Sequence, residues 1–340
     1  MASGENGCDM TIIDVHNHFY PPAFLEALRS GPSGVTVSDD AAGNPVLYSP
    51  GDINVAVRGH RDIAYREEVL DREGIDRQVL SLTTPGTLLE TAARSAMLAR
   101  LVNDALADIA VTNGGRFSAL ATLPLNDAKA SVAEFDRAIG SLGFPGCMIF
   151  GNVNGTALAD RRFWPLYERA DAAGAVLYIH PTFPVGVEAM QDYWLMPLVG
   201  FLFDTTLAAV HLVFSGVVER FPGIHWVLGH LGGAIPYLAE RLDRGYEAFA
   251  ECRANITRPP SHYLKTFYYD TVNFDPHALR LAIQFAGADH LLAGSDYPHQ
   301  IGSLRRMRES IDGLDVTPGE RASILGGNAA RLLHLAPLAP

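Results

Sequence analysis

The chain has 340 residues, 48% of them hydrophobic, and its 26 basic and 38 acidic side chains give a formal net charge of −12. That length and apolar share suffice for a large core, and the acidic balance excludes the broad basic face that a nucleic-acid partner requires. Cys8, Cys147 and Cys252 are too few and too scattered for a disulfide framework or a paired-cysteine metal site, so free thiols in a reducing compartment are expected. Residues 1–9 lack a basic stretch followed by an apolar core, and no apolar run reaches the ~20 residues that span a bilayer. A cytoplasmic protein with no membrane partner is the expectation.

Residues 11–18, Thr-Ile-Ile-Asp-Val-His-Asn-His, open the regular structure. Thr11, Ile12, Ile13 and Val15 are β-branched and favour a strand, and strand alternation sends His16 and His18 to one face. Phe19-Tyr20-Pro21-Pro22 ends it. Residues 23–29 fit a short helix. In 34–49, Val35 and Val37, then Val46 and Tyr48, alternate about Gly43-Asn44-Pro45, which predicts a small hairpin. Segment 19–62 therefore reads as an insertion after the first strand, placed to act as a flap or to pack against its neighbours.

Beyond residue 64 the pattern becomes regular. A helix over 65–73 stops at Gly74, and a strand follows over 77–82. A long helix covers 88–113. The chain continues with strand 117–122, helix 128–140, strand 146–150, helix 159–173 and strand 175–180. A helix over 203–220, strand 224–229 and helix 235–250 come next. Strand 266–270, helix 276–286, strand 290–294 and a last helix over 318–333 complete the series. Eight short, continuously apolar strands alternating with helices predict an α/β chain folded as one (β/α)8 TIM barrel. The rival, a doubly wound open sheet, lacks the glycine-rich turn after its first strand. No linker, tandem repeat or low-complexity tract divides the chain, so 1–340 reads as a single domain.

A barrel of this kind carries its chemistry at the C-terminal ends of its strands. The first strand ends in His16-Asn17-His18, the fifth in His180, the sixth in His230 and the eighth in Asp296. Imidazoles and a carboxylate gathered from separate strands suit a divalent metal with a position left for water or substrate. A lone histidine at a strand end is ordinarily a hydrogen-bonded structural residue, and Asp296 alone would fit a helix cap. Their joint placement is what favours a metal. His211 lies in an apolar helix and is expected to be packed, while alternation turns His225 away from His230. His60 and His299 could line the mouth. Asp14 shares the face of His16, lies deeper, and is a candidate to orient a ligand histidine.

Four stretches, Ile-Asp-Val-His-Asn-His-Phe-Tyr-Pro, Tyr-Ile-His-Pro, Gly-His-Leu-Gly-Gly and Gly-Ser-Asp-Tyr-Pro, resemble the amidohydrolase superfamily. Leu-Gly-Phe-Pro-Gly at 142–146 and Tyr-Trp-Leu-Met-Pro-Leu-Val-Gly at 193–200 narrow the resemblance to its decarboxylase branch, the aminocarboxymuconate-semialdehyde and gamma-resorcylate decarboxylase group. The resemblance implies that His16, His18, His180 and Asp296 bind the metal. It implies that His230 is the catalytic acid or base beside it, with Asp296 shared between metal and catalysis. The fourth strand ends Met148-Ile149-Phe150, without the bridging lysine or glutamate of the two-metal members, so one metal is implied. Zinc, or else manganese, suits these donors. Arg58 resembles a carboxylate-gripping arginine, Trp194 a pocket wall, and Arg241 an arginine delivered from the neighbouring subunit of a homodimer.

The implied activity is metal-dependent, non-oxidative decarboxylation of a small planar carboxylic acid, aromatic or muconate-type. The same donors could activate water in a hydrolase of a lactone or amide, or in a hydratase of an unsaturated diacid. A metal-stabilised scaffold without catalysis is the alternative from another class, and it predicts that His230→Ala changes no biochemical property.

Overall fold

The computed structural model describes residues 11–50 and 52–338. Cys8 lies outside them, whereas Cys147 is buried and Cys252 half-buried, both as free thiols. The centre is a ring of parallel strands: β1 (Ile13–His18), β2 (Arg77–Ser81), β3 (Phe117–Ala119, resumed at Ala121–Thr122), β4 (Gly146–Phe150), β5 (Val176–His180), β6 (His225–Leu228), β7 (Tyr268–Asp270) and β8 (Leu291–Leu292). Each pairs in parallel with the next. Backbone bonds close the circle. Val15 N donates to Ala293 O at 2.9 Å, Asp296 N to His16 O at 2.7 Å, and His18 N to Tyr297 O at 2.8 Å. The predicted (β/α)8 barrel is the observed architecture.

Parallel strands need cover on both faces, and β1, β2, β4 and β5 are buried along their whole length. Val15, Val79, Leu120, Met148, Tyr178 and Val227 fill the barrel, and Leu332 and Leu333 from the chain's last helix pack onto the same cluster. Leu80, Ile149, Leu177, Trp226 and Tyr269 face the surrounding helices instead. Those helices start on side-chain caps at Asp62, Thr91, Asp127, Asp275 and Ser303, whose oxygens satisfy otherwise orphaned N–H groups.

Several elements depart from expectation. The 203–220 helix is two helices, Phe201–Phe214 and Val217–Arg220, split at Gly216. Gly216 has φ +82°, and a Cβ there would stand 2.5 Å from Asn255 O, so only glycine fits. The helix Leu304–Asp312 was not predicted, although its buried Leu304, Met307 and Ile311 carry helical spacing. The final helix opens into a wider turn over Ser323–Gly327, where Gly326 passes so near Thr11 O that a Cβ would lie 2.0 Å away. Residues Met196–Phe214 form one run of 19 helical residues, apolar and long enough to cross a membrane, contrary to the expected absence of such a run. Only 44% of its most apolar window is buried.

Segment 19–62 holds an antiparallel sheet of three strands, Thr36–Asp39, Pro45–Ser49 and Asp52–Val55, where the sequence predicted two. The third strand is too short and too polar to announce itself. Its Asn54 Nδ2 donates to Thr84 Oγ1 at 3.3 Å, against the loop beyond β2.

Arg66 anchors the base of this segment. It is fully buried and donates to Gly59 O, to Asn17 Oδ1 at 2.8 Å, to Gln78 Oε1 at 2.9 Å and to His18 O. Burial pulls its pKa down to about 10, which leaves the guanidinium charged at neutral pH. Arg66→Met fills the volume and removes every donor, leaving several buried acceptors unpaired. We expect a loss of about 2–3 kcal/mol, read from the denaturant midpoint at unchanged slope.

Candidate metal centre

Five buried side chains meet at the C-terminal mouth: His16 and His18 from β1, His180 from the end of β5, His230 after β6 and Asp296 after β8. A shift in register between Asp14 and Asn17 bulges β1 where the two histidines leave it. His16 Nε2 and His18 Nε2 lie 3.1 Å apart. Asp296 Oδ1 is 3.2 Å from His18 Nε2 and 3.4 Å from His16 Nε2. Atoms bound at 2.0–2.2 Å to one ion stand roughly 3 Å from each other, so this packing of mutually facing donors is what a shared cation produces. His230 Nε2 sits farther out, 3.9 Å from Asp296 Oδ2.

Three of the imidazoles, those of His16, His18 and His180, are oriented by their other nitrogen. His180 Nδ1 donates to Pro181 O at 2.8 Å, and His18 Nδ1 lies 3.4 Å from Ser81 Oγ. His16 Nδ1 donates to Asp270 Oδ2 at 2.5 Å. Asp270, the last residue of β7, also accepts from Tyr178 OH at 2.5 Å, His230 N at 3.1 Å and Leu231 N at 3.0 Å. One carboxylate thus fixes both the His16 ring and the turn that presents His230. Such outer partners set the tautomer and aim of metal-binding histidines.

The turn itself runs left-handed through four residues, with φ +52° at His230, +56° at Leu231, +73° at Gly232 and +62° at Gly233. A Cβ on Gly232 would lie 2.5 Å from the Tyr269 ring, and one on Gly233 would lie 2.1 Å from Leu202 O. The two glycines are therefore required there, and the strain they relieve holds His230 over the mouth.

Electrostatics follow from burial and neighbours. Burial disfavours charge on Asp296, but hydrogen bonds from His16 and His18 hold its carboxyl well below the usual range. Burial likewise opposes ionisation of Asp270, and the adjacent His16 outweighs it and keeps the carboxylate. For His16, burial works downward while Asp270 and Asp296 push the ring up to about 10. Burial pulls His18 down to about 3 and His180 well below the ordinary imidazole value. Asp296 and Asp270 supply negative charge to the site, burial keeps His18 and His180 neutral, and the two carboxylates favour the charged form of His16.

His16, His18, His180, His230 and Asp296 thus come together as their strand-end positions imply. His16, His180, His230 and Asp296 have donor atoms within 4.8 Å of one another, as do His18, Asp296 and His299. Arg58, Trp194 and Arg241 are not among the gathered side chains. Arg58 is exposed, bonded to Asp62 at 2.8 Å and stacked on Tyr65. Trp194 is 62% exposed with φ +58°, and Arg241 is exposed on the helix Ile235–Ala248. His211 is exposed rather than packed, because it falls on the outward side of its helix. Asp14 orients no histidine ring. It accepts from Ser295 Oγ at 2.6 Å and Gln78 Nε2 at 2.8 Å, joining the barrel's first and last strands below the site. Asp270 is the residue that does what Asp14 was expected to do. It ends a predicted strand, so the rule that found His180 and His230 could have found it.

A family model described as amidohydrolase matches residues 13–335. The chain is 34% identical over 277 residues to a 2-amino-3-carboxymuconate-6-semialdehyde decarboxylase of Dictyostelium discoideum, covering 80% of this chain and 76% of the relative. It is 29% identical over 296 residues to a 6-methylsalicylic acid decarboxylase of Penicillium expansum, covering 85% and 86%. Among solved structures it superposes on a 5-carboxyvanillate decarboxylase from Sphingomonas paucimobilis with a TM-score of 0.84 and 27% identity, over 96% of this chain and all of the other.

Proposed function

The chain belongs to the amidohydrolase family, and from that premise we infer that it is an enzyme, a metal-dependent carboxy-lyase acting on a small planar carboxylic acid. The observation that carries this is the cage of His16, His18 and Asp296 at 3.1–3.4 Å, in a chain whose relatives are decarboxylases. The donors fit a single divalent ion held by His16, His18, His180 and Asp296. Zinc matches three imidazoles and one carboxylate, with manganese the other candidate. The ion, once bound, supplies positive charge that steadies the electron pair left as CO2 departs.

The chain's own residues supply the remainder. Rupture of the C–CO2 bond leaves its electron pair on carbon. His230, held over the mouth by Asp270 and the left-handed turn, delivers the proton from Nε2 to that carbon. Phe150 and Phe201, with rings 6.1 and 6.2 Å from that of His180, offer apolar walls to a flat substrate.

The test is to load the protein with zinc or manganese, supply benzoate- and muconate-type acids, and trap CO2. Solvent deuterium appearing on the product carbon supports the assignment. Heavy oxygen from water appearing in product instead identifies a hydrolase and overturns it.

We further propose a homodimer in which Arg241 reaches the partner's mouth. Leu198, Phe203 and Leu207 are 44–50% exposed and Tyr237 is 80% exposed, more apolar surface than water alone should face. Arg241 lies one helical turn beyond Tyr237, on the same helix face. Phe203→Glu is expected to halve the sedimenting mass. Arg241→Ala is expected to raise KM about tenfold or more at unchanged mass, as loss of a carboxylate-binding cation should.

A further inference from the structure

One turn of helix braces the metal centre from outside the barrel. The helix Phe201–Phe214 lies between β5 and β6 in the chain. Phe203 and Leu207 face outward, while Asp204, Thr205 and Thr206 between them are buried. Thr206 Oγ1 accepts from Ala234 N at 2.9 Å, just beyond the turn that presents His230. Asp204 reaches the other way. Its carboxylate accepts from Thr182 N at 2.9 Å and from Asn152 Nδ2 at 2.8 Å, in the loops that leave β5 and β4.

A buried carboxylate met by neutral N–H groups, with no cation paired to it among the described residues, is costly to keep. Burial pushes the Asp204 pKa up to about 6 against the bonds from Thr182 and Asn152. Its surroundings are nevertheless shaped to it. A Cβ on Gly151 would stand 2.4 Å from Asp204 Oδ2. Asn152 Nδ2 also donates to Phe183 O at 2.9 Å, and Asn152 Oδ1 accepts from Gly155 N at 2.8 Å, so the amide has its NH2 turned toward Asp204. What these bonds enclose is His180. Gly151 N donates to His180 O at 2.9 Å, and the His180 ring takes its direction from Pro181 O. Pro181 O and Thr182 N belong to one planar peptide unit, so a grip on the N–H also aims the C=O. A peptide bonded at its N–H end is polarised and accepts more strongly at its oxygen.

We propose that Asp204 is a positioning residue of the metal centre, which aims the His180 ring through the Pro181–Thr182 peptide. This rests on the reading of His180 as a metal-binding residue and adds a residue that itself never meets the ion. The relay runs from the Asp204 carboxylate to Thr182 N, across the peptide to Pro181 O, and on to His180 Nδ1. It leaves His180 Nε2 free and pointed at the ion. Loss of the carboxylate frees the peptide to turn, and the ring turns with it.

The experiment strips the full chain of metal, titrates zinc back against a chelator, and repeats the titration with cobalt(II), whose visible bands report ligand geometry. Asp204→Asn keeps the shape but turns an NH2 onto one of the two donors, and Asp204→Ala releases both. Zinc is expected to bind about tenfold or more weaker in the alanine variant, with the asparagine variant between it and wild type. Both are expected to shift the cobalt bands. Gly151→Ala drives a methyl group against the carboxylate from the other side and is expected to repeat these changes, so it decides the question if neither Asp204 variant folds. Thr205→Val controls for a loosened helix, because that hydroxyl is buried on the same turn and has no hydrogen-bond partner among the described residues. Its zinc affinity is expected within about twofold of wild type, with unchanged cobalt bands. A lower denaturant midpoint in the Asp204 variants with zinc affinity and cobalt bands intact means a purely structural role and overturns the proposal. An equal loss of zinc affinity in Thr205→Val overturns it too. Wild type that takes up no ion overturns the metal-centre reading and this proposal with it, whereas wild type that binds zinc no tighter than Asp204→Ala overturns this proposal alone.

Discussion

His230→Asn should lower kcat for CO2 release by about 10²- to 10⁴-fold while the protein still takes up one metal ion per chain. Asparagine is chosen because the backbone at this position has φ +52°, a conformation asparagine tolerates better than most residues. The turn therefore survives, and so does its support from Asp270. What disappears is the group able to carry a proton to the substrate carbon. The metal should stay, because His230 Nε2 stands 3.9 Å from Asp296, outside the 3.1–3.4 Å cage formed by His16, His18 and Asp296. KM should move by only a few fold, since the lost interaction acts in the transition state. Metal analysis alongside steady-state kinetics checks both halves. A variant that loses its metal but keeps full activity per bound ion would make His230 a ligand and remove it from proton transfer.

Asp270→Ala should damage stability and metal affinity together. The carboxylate receives the His16 ring, the Tyr178 hydroxyl and the backbone N–H groups of His230, Leu231 and Val272, all buried or nearly so. Deleting it leaves those donors facing one another across an empty space. Loss of one member of a buried ionic pair costs about 3–5 kcal/mol. Removal of a carboxylate behind a metal-binding histidine costs about 10- to 100-fold in affinity. Asp270→Asn should fare only slightly better, because any orientation of the amide turns its NH2 toward existing donors. Denaturant midpoints and metal titration measure the two losses. Normal metal uptake by a stable Asp270→Ala protein would show that the His16 ring is held by something else.

The barrel was legible because parallel strands buried on both faces leave continuous apolar runs, and helices between them leave a different period. The metal centre was legible for a related reason. Once strand ends are known to share a mouth, His180 and His230 need no tertiary information to be placed together. Depth is what a linear pattern does not contain. Asp14 and His16 share a strand face, yet one joins Ser295 beneath the mouth and the other reaches into it. Asp270 ends a predicted strand as His180 does, but none of the motifs that marked the other site residues spans it. Leu304, Met307 and Ile311 do carry a helical period, but a nine-residue helix crowded with arginines hides it. Trp194 and Arg241 lie on exposed surface away from the gathered side chains, and no local pattern reports what an exposed residue is for.

The cage of His16, His18 and Asp296 straddles the seam where the two ends of the polypeptide meet, and β8 contributes only Leu291–Leu292 to the ladder there. An ion captured at that joint is a rivet across the weakest link of the ring. It can be driven only after synthesis has passed residue 296, so the growing chain gains no help from it and the finished chain gains a great deal. Ion uptake thereby reports circular closure itself, and a chain cut short ahead of β8 should remain blind to added metal however well its earlier strands have assembled.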